Sequence, residues 1–148
     1  MSILIGIDPG DHTGIAVWDS SRKQFTEIAT LPLHKAFDIV KREYYAVLAA
    51  PSPVRFMVVF EDARQRKWFA PERNQSEYRG KLMGAGASKR DARIWEEFLT
   101  DLGCLFEMHK PQPGTTKWPA DHFARLTGYE GRTSEHSRDA ALLVFGRK

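Results

Sequence analysis

Two short apolar runs, each closed by a carboxylate, constrain this chain more than any other feature. Ile3 to Ile7 ends at Asp8, and Phe56 to Phe60 ends at Glu61. An apolar run of this length, bounded by polar and turn residues, reads as a strand buried on both faces, typical of the centre of a parallel sheet. Between the two runs, Asp8-Pro9-Gly10 makes a tight turn, Gly14 to Trp18 resumes as a second strand, and Phe25 to Leu31 supplies a third. These three form an antiparallel meander. Phe37, Val40, Tyr44, Val47 and Leu48 recur at three- and four-residue spacing, so residues 35 to 49 are expected to form an amphipathic helix ending before Pro51 and Pro53. A right-handed crossover through that helix lays the strand Val54 to Phe60 parallel to the first, with centres about 4.8 Å apart. Asp8 and Glu61 then become neighbours at one end of the sheet.

The remainder extends the same sheet. The stretch from Arg64 to Gly86 has no clean period and contains Pro71, Gly80, Gly84 and Gly86, so it reads as a loop followed by a short helix. Ser88 with Asp91 three residues on resembles a capping box, and Ala92, Trp95, Phe98, Leu99 and Leu102 mark one face of a helix closed by Gly103. Cys104 to Met108 is the fifth strand, a loop with Pro111, Pro113 and Gly114 follows, and a helix runs from about Pro119 to Leu126, stopped at Gly128. Ser134 caps a last helix to about Phe145. The order predicts an α/β fold: a five-stranded mixed sheet, three antiparallel strands then two parallel, with helices on both faces. With 148 residues, 42% apolar and 28% charged, the chain has material for one core, hence one domain over residues 1–148.

Several classes fall away at this point. No apolar run approaches the roughly 20 residues of a membrane span and no signal-peptide core follows Met1, so a soluble, cytoplasmic protein without a membrane partner is expected. The single cysteine, Cys104, excludes an internal disulfide and a cysteine-built zinc site, and its apolar neighbours suggest a buried thiol. The net charge of +3 is modest but unevenly spread. From Arg64 to Arg93 there are nine basic residues (Arg64, Arg66, Lys67, Arg73, Arg79, Lys81, Lys89, Arg90, Arg93) against three acidic ones, a local net of +6. Such a stretch suits DNA phosphates, where sequence-independent binding comes mainly from Lys and Arg. Trp68 and Phe69 lie within it, either as platforms for unpaired bases or as an anchor beneath a loop.

The carboxylates carry the chemistry. A charged group at the end of an apolar strand is costly to bury unless paired or bound to metal. The last helix offers partners, because His136 and Asp139 stand three apart and share a face. Each of the four has an ordinary alternative as a turn, strand-end or solvated residue; a cluster of Asp8, Glu61, His136 and Asp139 explains all together. Asp62 is a rival to Glu61, but strand alternation points the two to opposite faces. Asp11 and Glu135 are further acids near the group.

Ile5-Gly6-Ile7-Asp8-Pro9-Gly10 with Thr13-Gly14 resembles the first-strand signature of the RuvC-type Holliday-junction resolvases of the ribonuclease-H-like superfamily. Val58-Val59-Phe60-Glu61 is similar to their fourth-strand motif, and His136-Ser137-Arg138-Asp139-Ala140 to their final-helix motif. The resemblance runs in order from Ile3 to about Phe145. It implies a ribonuclease-H-like nuclease in which Asp8, Glu61, His136 and Asp139 hold two magnesium ions, a four-way DNA junction as substrate, paired nicks leaving 5′-phosphate and 3′-hydroxyl ends, and a homodimer matching the junction's twofold symmetry. It further suggests a phage-encoded member acting in recombination or repair. His136 stands where many members carry a carboxylate, and imidazole suits manganese better than magnesium. The DNA contacts expected from the basic stretch and its surroundings, and not from the resemblance, are Arg64, Arg66, Lys67, Trp68, Phe69, Arg73, Lys89, Arg90, Arg93 and Lys117, the last either near the scissile phosphate or merely solvated. Trp95, Phe98 and Leu99 form a stripe suited either to a dimer interface or to ordinary core. Competing readings are a related nuclease for flaps, other branches or RNA/DNA hybrids, one lobe of an actin-like ATP-binding fold, and a non-catalytic DNA-binding module.

Overall fold

The computed structural model describes residues 1–66, 75–111 and 117–148. The chain begins as the predicted meander, with β1 (Ser2–Asp8), β2 (His12–Asp19) and β3 (Gln24–Pro32), and crosses over through α1 (Leu33–Leu48) to β4 (Arg55–Glu61). A single 3-10 turn at Ala63–Gln65 follows, then the long α2 (Gln75–Leu102), β5 (Leu105–His109), α3 (Ala120–Thr127) and α4 (Glu135–Leu142). The strands lie in the order β3-β2-β1-β4-β5, with β1 antiparallel to β2 and parallel to β4. This is the expected mixed sheet.

Side-chain alternation along the strands divides the core in two. Ile3, Ile5 and Ile7 of β1 and Phe56, Val58 and Phe60 of β4 point to one face, where Ala36, Ile39 and Val40 of α1 and Ala92, Trp95 and Leu99 of α2 cover them. Leu4, Met57 and Val59 point to the other face and meet Phe123 of α3 and Ala141 of α4. Both faces of the central strands are thus apolar, which is why these segments read as continuous hydrophobic runs.

Three details differ from expectation. Residues 75–102 form one continuous helix, not a short helix and a separate one capped at Ser88. The Ser88 hydroxyl donates 3.0 Å to the Gly84 carbonyl four residues back, as in a helix interior. Gly80, Gly84 and Gly86 sit in the exposed part of α2, where each costs about 1 kcal/mol relative to Ala but does not by itself stop a helix. The last helix ends at Leu142, three residues before Phe145, and passes into turns that keep helix-like bonds such as Phe145 N–H to Ala141 O at 2.9 Å. The stripe of Trp95, Phe98 and Leu99 is core: Trp95 and Leu99 are fully buried, and Phe98 stacks on Phe37 of α1 with ring centroids 4.1 Å apart. It is therefore not available as a dimer surface. Cys104 is buried, and burial pushes its thiol up to about 11.

Candidate active site

The β1–β4 register aligns Ile7 with Phe60, so the next residues, Asp8 and Glu61, come level at the carboxyl ends of two adjacent parallel strands. Asp8 has the strand parity of Leu4 and Gly6, and Glu61 that of Met57 and Val59, so both carboxylates belong to the face covered by α4. Asp62, with the opposite parity, turns away. It accepts bonds from Arg64, from the backbone N–H at 3.0 Å and from Nε at 2.7 Å. Burial opposes its ionisation, but these bonds hold its carboxyl below the usual range.

Two glycines bring α4 down onto this face. A Cβ at Gly6 would lie 1.9 Å from the Ala140 carbonyl oxygen, and one at Gly14 only 2.1 Å from that of His136. Hydrogen in place of a side chain lets the helix backbone rest on β1 and β2. Ser134 caps α4: its hydroxyl accepts from the Ser137 N–H at 3.2 Å, while the Ser134 N–H donates to the Ser137 hydroxyl at 2.9 Å. So seated, α4 brings His136 Nδ1 to 2.9 Å from Asp8 Oδ2. With Asp8 ionised the imidazole is the donor.

Asp139, one turn further along α4, faces the same cluster. Lys117 Nζ lies 3.8 Å from its Oδ2 and also pairs with Glu135. The electrostatics are those of crowded anions. Burial pushes the Asp8 carboxyl up, Asp139 adds to this, and the His136 hydrogen bond pulls it back. Burial and then Asp8 and Asp139 push Glu61 up, with Arg66 and Lys117 opposing. Three carboxylates and one imidazole are the donors a hard divalent cation accepts, with the nitrogen tolerated better by manganese than by magnesium. The donor chemistry therefore fits such an ion. Among the described residues, no three of these side chains already converge on one metal position.

The basic residues are dispersed. Arg64 is drawn into the protein itself, bonding Asp62 on one side and Glu96 of α2 on the other. Arg66 is exposed and close enough to influence Glu61. Lys89, Arg90 and Arg93 lie exposed along α2, Arg90 and Arg93 with acidic neighbours at 3.4 and 3.7 Å. Lys67, Trp68, Phe69 and Arg73 lie outside the described residues. Asp11 is exposed on the β1–β2 turn. Sequence reasoning overlooked Arg138: its Nε donates to the Trp118 carbonyl at 2.8 Å and its Nη1 to the Thr133 hydroxyl at 3.1 Å, tying the approach to α3 against α4. Nothing in the sequence separates this internal arginine from a surface one.

Strand order, crossover and flanking helices define a ribonuclease-H-like α/β fold. No protein-family model matches the sequence, and no curated protein does. Among solved structures the chain is similar to T. thermophilus RuvC in complex with a Holliday junction substrate. The TM-score is 0.51 over 97% of this chain and 90% of that one, at 14% identity. No described helix is long and apolar enough to cross a membrane.

Proposed function

We propose that the protein is a divalent-metal-dependent DNA endonuclease that resolves four-way junctions. The observation that carries this reading is the placement of Asp8 and Glu61 at adjacent parallel strand ends, with His136 and Asp139 of α4 over the same face. The fold adds support, because the similar solved protein was captured with a Holliday junction.

In this reading Asp8, Glu61 and Asp139 hold two divalent ions, and His136 completes the set. When bound, such ions activate a water, neutralise the phosphoryl group and stabilise the leaving oxygen. The protein's groups do the rest. Asp8 is oriented by the His136 hydrogen bond, and Lys117, now paired with Asp139 and Glu135, places a positive charge where a phosphate would sit. Water attacks phosphorus, the P–O3′ bond breaks, and the departing oxygen takes a proton, leaving a 5′-phosphate and a 3′-hydroxyl. Opposed cuts on a twofold-symmetric junction call for two copies of the chain. Lys89, Arg90 and Arg93, with Lys67 and Arg73, serve as phosphate contacts for the arms.

The test is cleavage of an end-labelled four-way junction beside linear duplex, with magnesium or manganese, using wild type and Asp8→Asn. Paired nicks near the branch, abolished in the variant while junction binding persists, are expected. Cutting by Asp8→Asn at the wild-type rate would overturn the site. Junction binding without cutting under either metal would make this a DNA-binding module, and cleavage confined to flaps or RNA/DNA hybrids would move the substrate within the same fold.

A further inference from the structure

Beside the carboxylates lies a groove of which the chemistry above uses only Lys117. It encloses about 360 Å3 and is lined by Lys117, Trp118, Pro119, Asp121, His122 and Arg125. That volume lies within the roughly 300–1,000 Å3 of small-ligand sites. The Trp118 and His122 rings stand edge to face, centroids 4.9 Å apart, and both line the groove. Lys117 and Arg125 bring cations to the groove, each with an acidic neighbour: Lys117 pairs with Glu135, and Arg125 Nη2 lies 3.9 Å from Asp121, which also lines it. A larger hollow of about 610 Å3 lies against α2, lined by Glu96, Glu97 and Asp101 with Phe98 and Thr100, and the cations at its acids are already engaged, Arg64 on Glu96 and Arg93 at 3.7 Å from Glu97.

The groove is held in register with the proposed cutting site. Lys117, at one end of it, lies 3.8 Å from Asp139. Arg138, next to Asp139 in the chain, bonds the Trp118 backbone carbonyl at 2.8 Å, so the backbone at Trp118 is tied to the turn of α4 that carries Asp139. The groove therefore neighbours the carboxylate end of the sheet through Lys117 and Arg138.

We propose that this groove takes one unpaired base of the DNA strand, adjacent to the cleaved bond, stacked on Trp118 and flanked by His122, with Lys117 and Arg125 on the flanking phosphates. The proposal rests on the DNA-cleaving reading and adds to it a base-holding subsite, which requires the strand to be opened at the branch. Stacking of this kind tolerates any base and favours junctions over duplex, where bases are already stacked.

The experiment is a cycle between protein and DNA. In the Asp8→Asn protein, which holds its substrate uncut, binding is measured by fluorescence anisotropy for intact junctions and for junctions with one abasic nucleotide, scanned through the positions flanking the cleaved bond. At one position the abasic junction is expected to bind about tenfold more weakly. Adding His122→Ala should remove most of that difference by weakening the intact junction alone. Trp118 packs partly against the core, so Trp118→Ala is read together with Trp118→Phe, which keeps a ring and should restore the preference. An abasic penalty that survives in both alanine variants, or no penalty at any position, overturns the groove. A short single-stranded oligonucleotide separates this from the larger reading. If wild type neither binds nor cuts junctions yet His122→Ala weakens the single strand, the groove stands and the resolvase reading falls; if the single strand is also unaffected, both fall.

Discussion

At the scale of single residues, the structure separates charges that look alike in the sequence. Arg64 and Lys89 both belong to the basic stretch, but the Arg64 guanidinium is spread between Asp62 and Glu96, whereas the Lys89 side chain is exposed. Arg64→Ala should therefore act on stability: Asp62, with a side chain 5% exposed, would lose its partner. The expected loss is about 2–3 kcal/mol by chemical denaturation, below the roughly 3–5 of a fully buried pair because the arginine reaches solvent. The slope of DNA affinity against salt should stay unchanged in that variant and fall by about one contact in Lys89→Ala. Equal slope changes in both would return Arg64 to the DNA surface. Asp19, far from the site, tests pH in isolation. Burial opposes its ionisation, but bonds from the Ser21 hydroxyl at 2.6 Å and the Ser21 N–H at 2.9 Å outweigh it and lower its carboxyl from the ordinary 3.8. A depressed carboxylate contributes stability above its unfolded value and loses it as pH falls through the folded one. Asp19→Ala should cost about 1–2 kcal/mol at pH 7, and its deficit relative to wild type should shrink below pH 3.8. A deficit constant down to pH 2 would show that shape, not charge, matters at this turn.

At the scale of elements, glycine carries opposite meanings in α2 and under α4. Gly84 has nothing within 4 Å of where its Cβ would be, so Gly84→Ala should stabilise the helix by up to about 1 kcal/mol. A Cβ at Gly6 would meet the Ala140 backbone at 1.9 Å and force α4 away from β1. Gly6→Ala is expected to destabilise by about 3 kcal/mol, at the upper end for overpacking, and to weaken cleavage by moving His136 and Asp139. Hydrogen exchange in α4 distinguishes a displaced helix from general loosening. This contrast shows why the sequence was readable in some places and misleading in others. The strands and α1 carry their period within a few residues, so their identity needs no knowledge of the fold. The glycines of α2 suggest breaks because local propensity was the only signal there, and the packing of Ala92, Trp95 and Leu99 that holds the helix's far end on the sheet becomes visible only with α1 in place. Ser88 copies a cap for the same reason: a serine inside a helix and one at its start have the same local sequence.

At the scale of the whole molecule, the chain order brings together residues 128 positions apart, as the bond between Asp8 and His136 shows. The adjacency of Asp8 and Glu61 followed from crossover handedness alone, but the descent of α4 depends on Gly6 and Gly14 meeting a helix backbone, which no local pattern announces. The fold gathers negative charge at the end of the sheet that carries Asp8 and Glu61, with Asp139 nearby, and both strand-end carboxyls are pushed up, first by burial and then by the neighbouring carboxylates. In the proposed metal-dependent reading, a divalent cation would relieve that repulsion. A divalent ion that binds only the folded chain adds about 2.7 kcal/mol at a hundred times its dissociation constant. For a chain of this size each kcal/mol moves the Tm by about 2–4 °C, so saturating manganese should raise the wild-type Tm by about 5–10 °C, and EDTA should reverse it. Asp8→Asn removes one proposed ligand and one of the repelling charges together. In EDTA it should melt at or above wild type, and in manganese it should gain less than half the wild-type shift. An equal manganese shift in both proteins would place the ion elsewhere, and Asp8 would then owe its position at the strand end to the His136 bond alone.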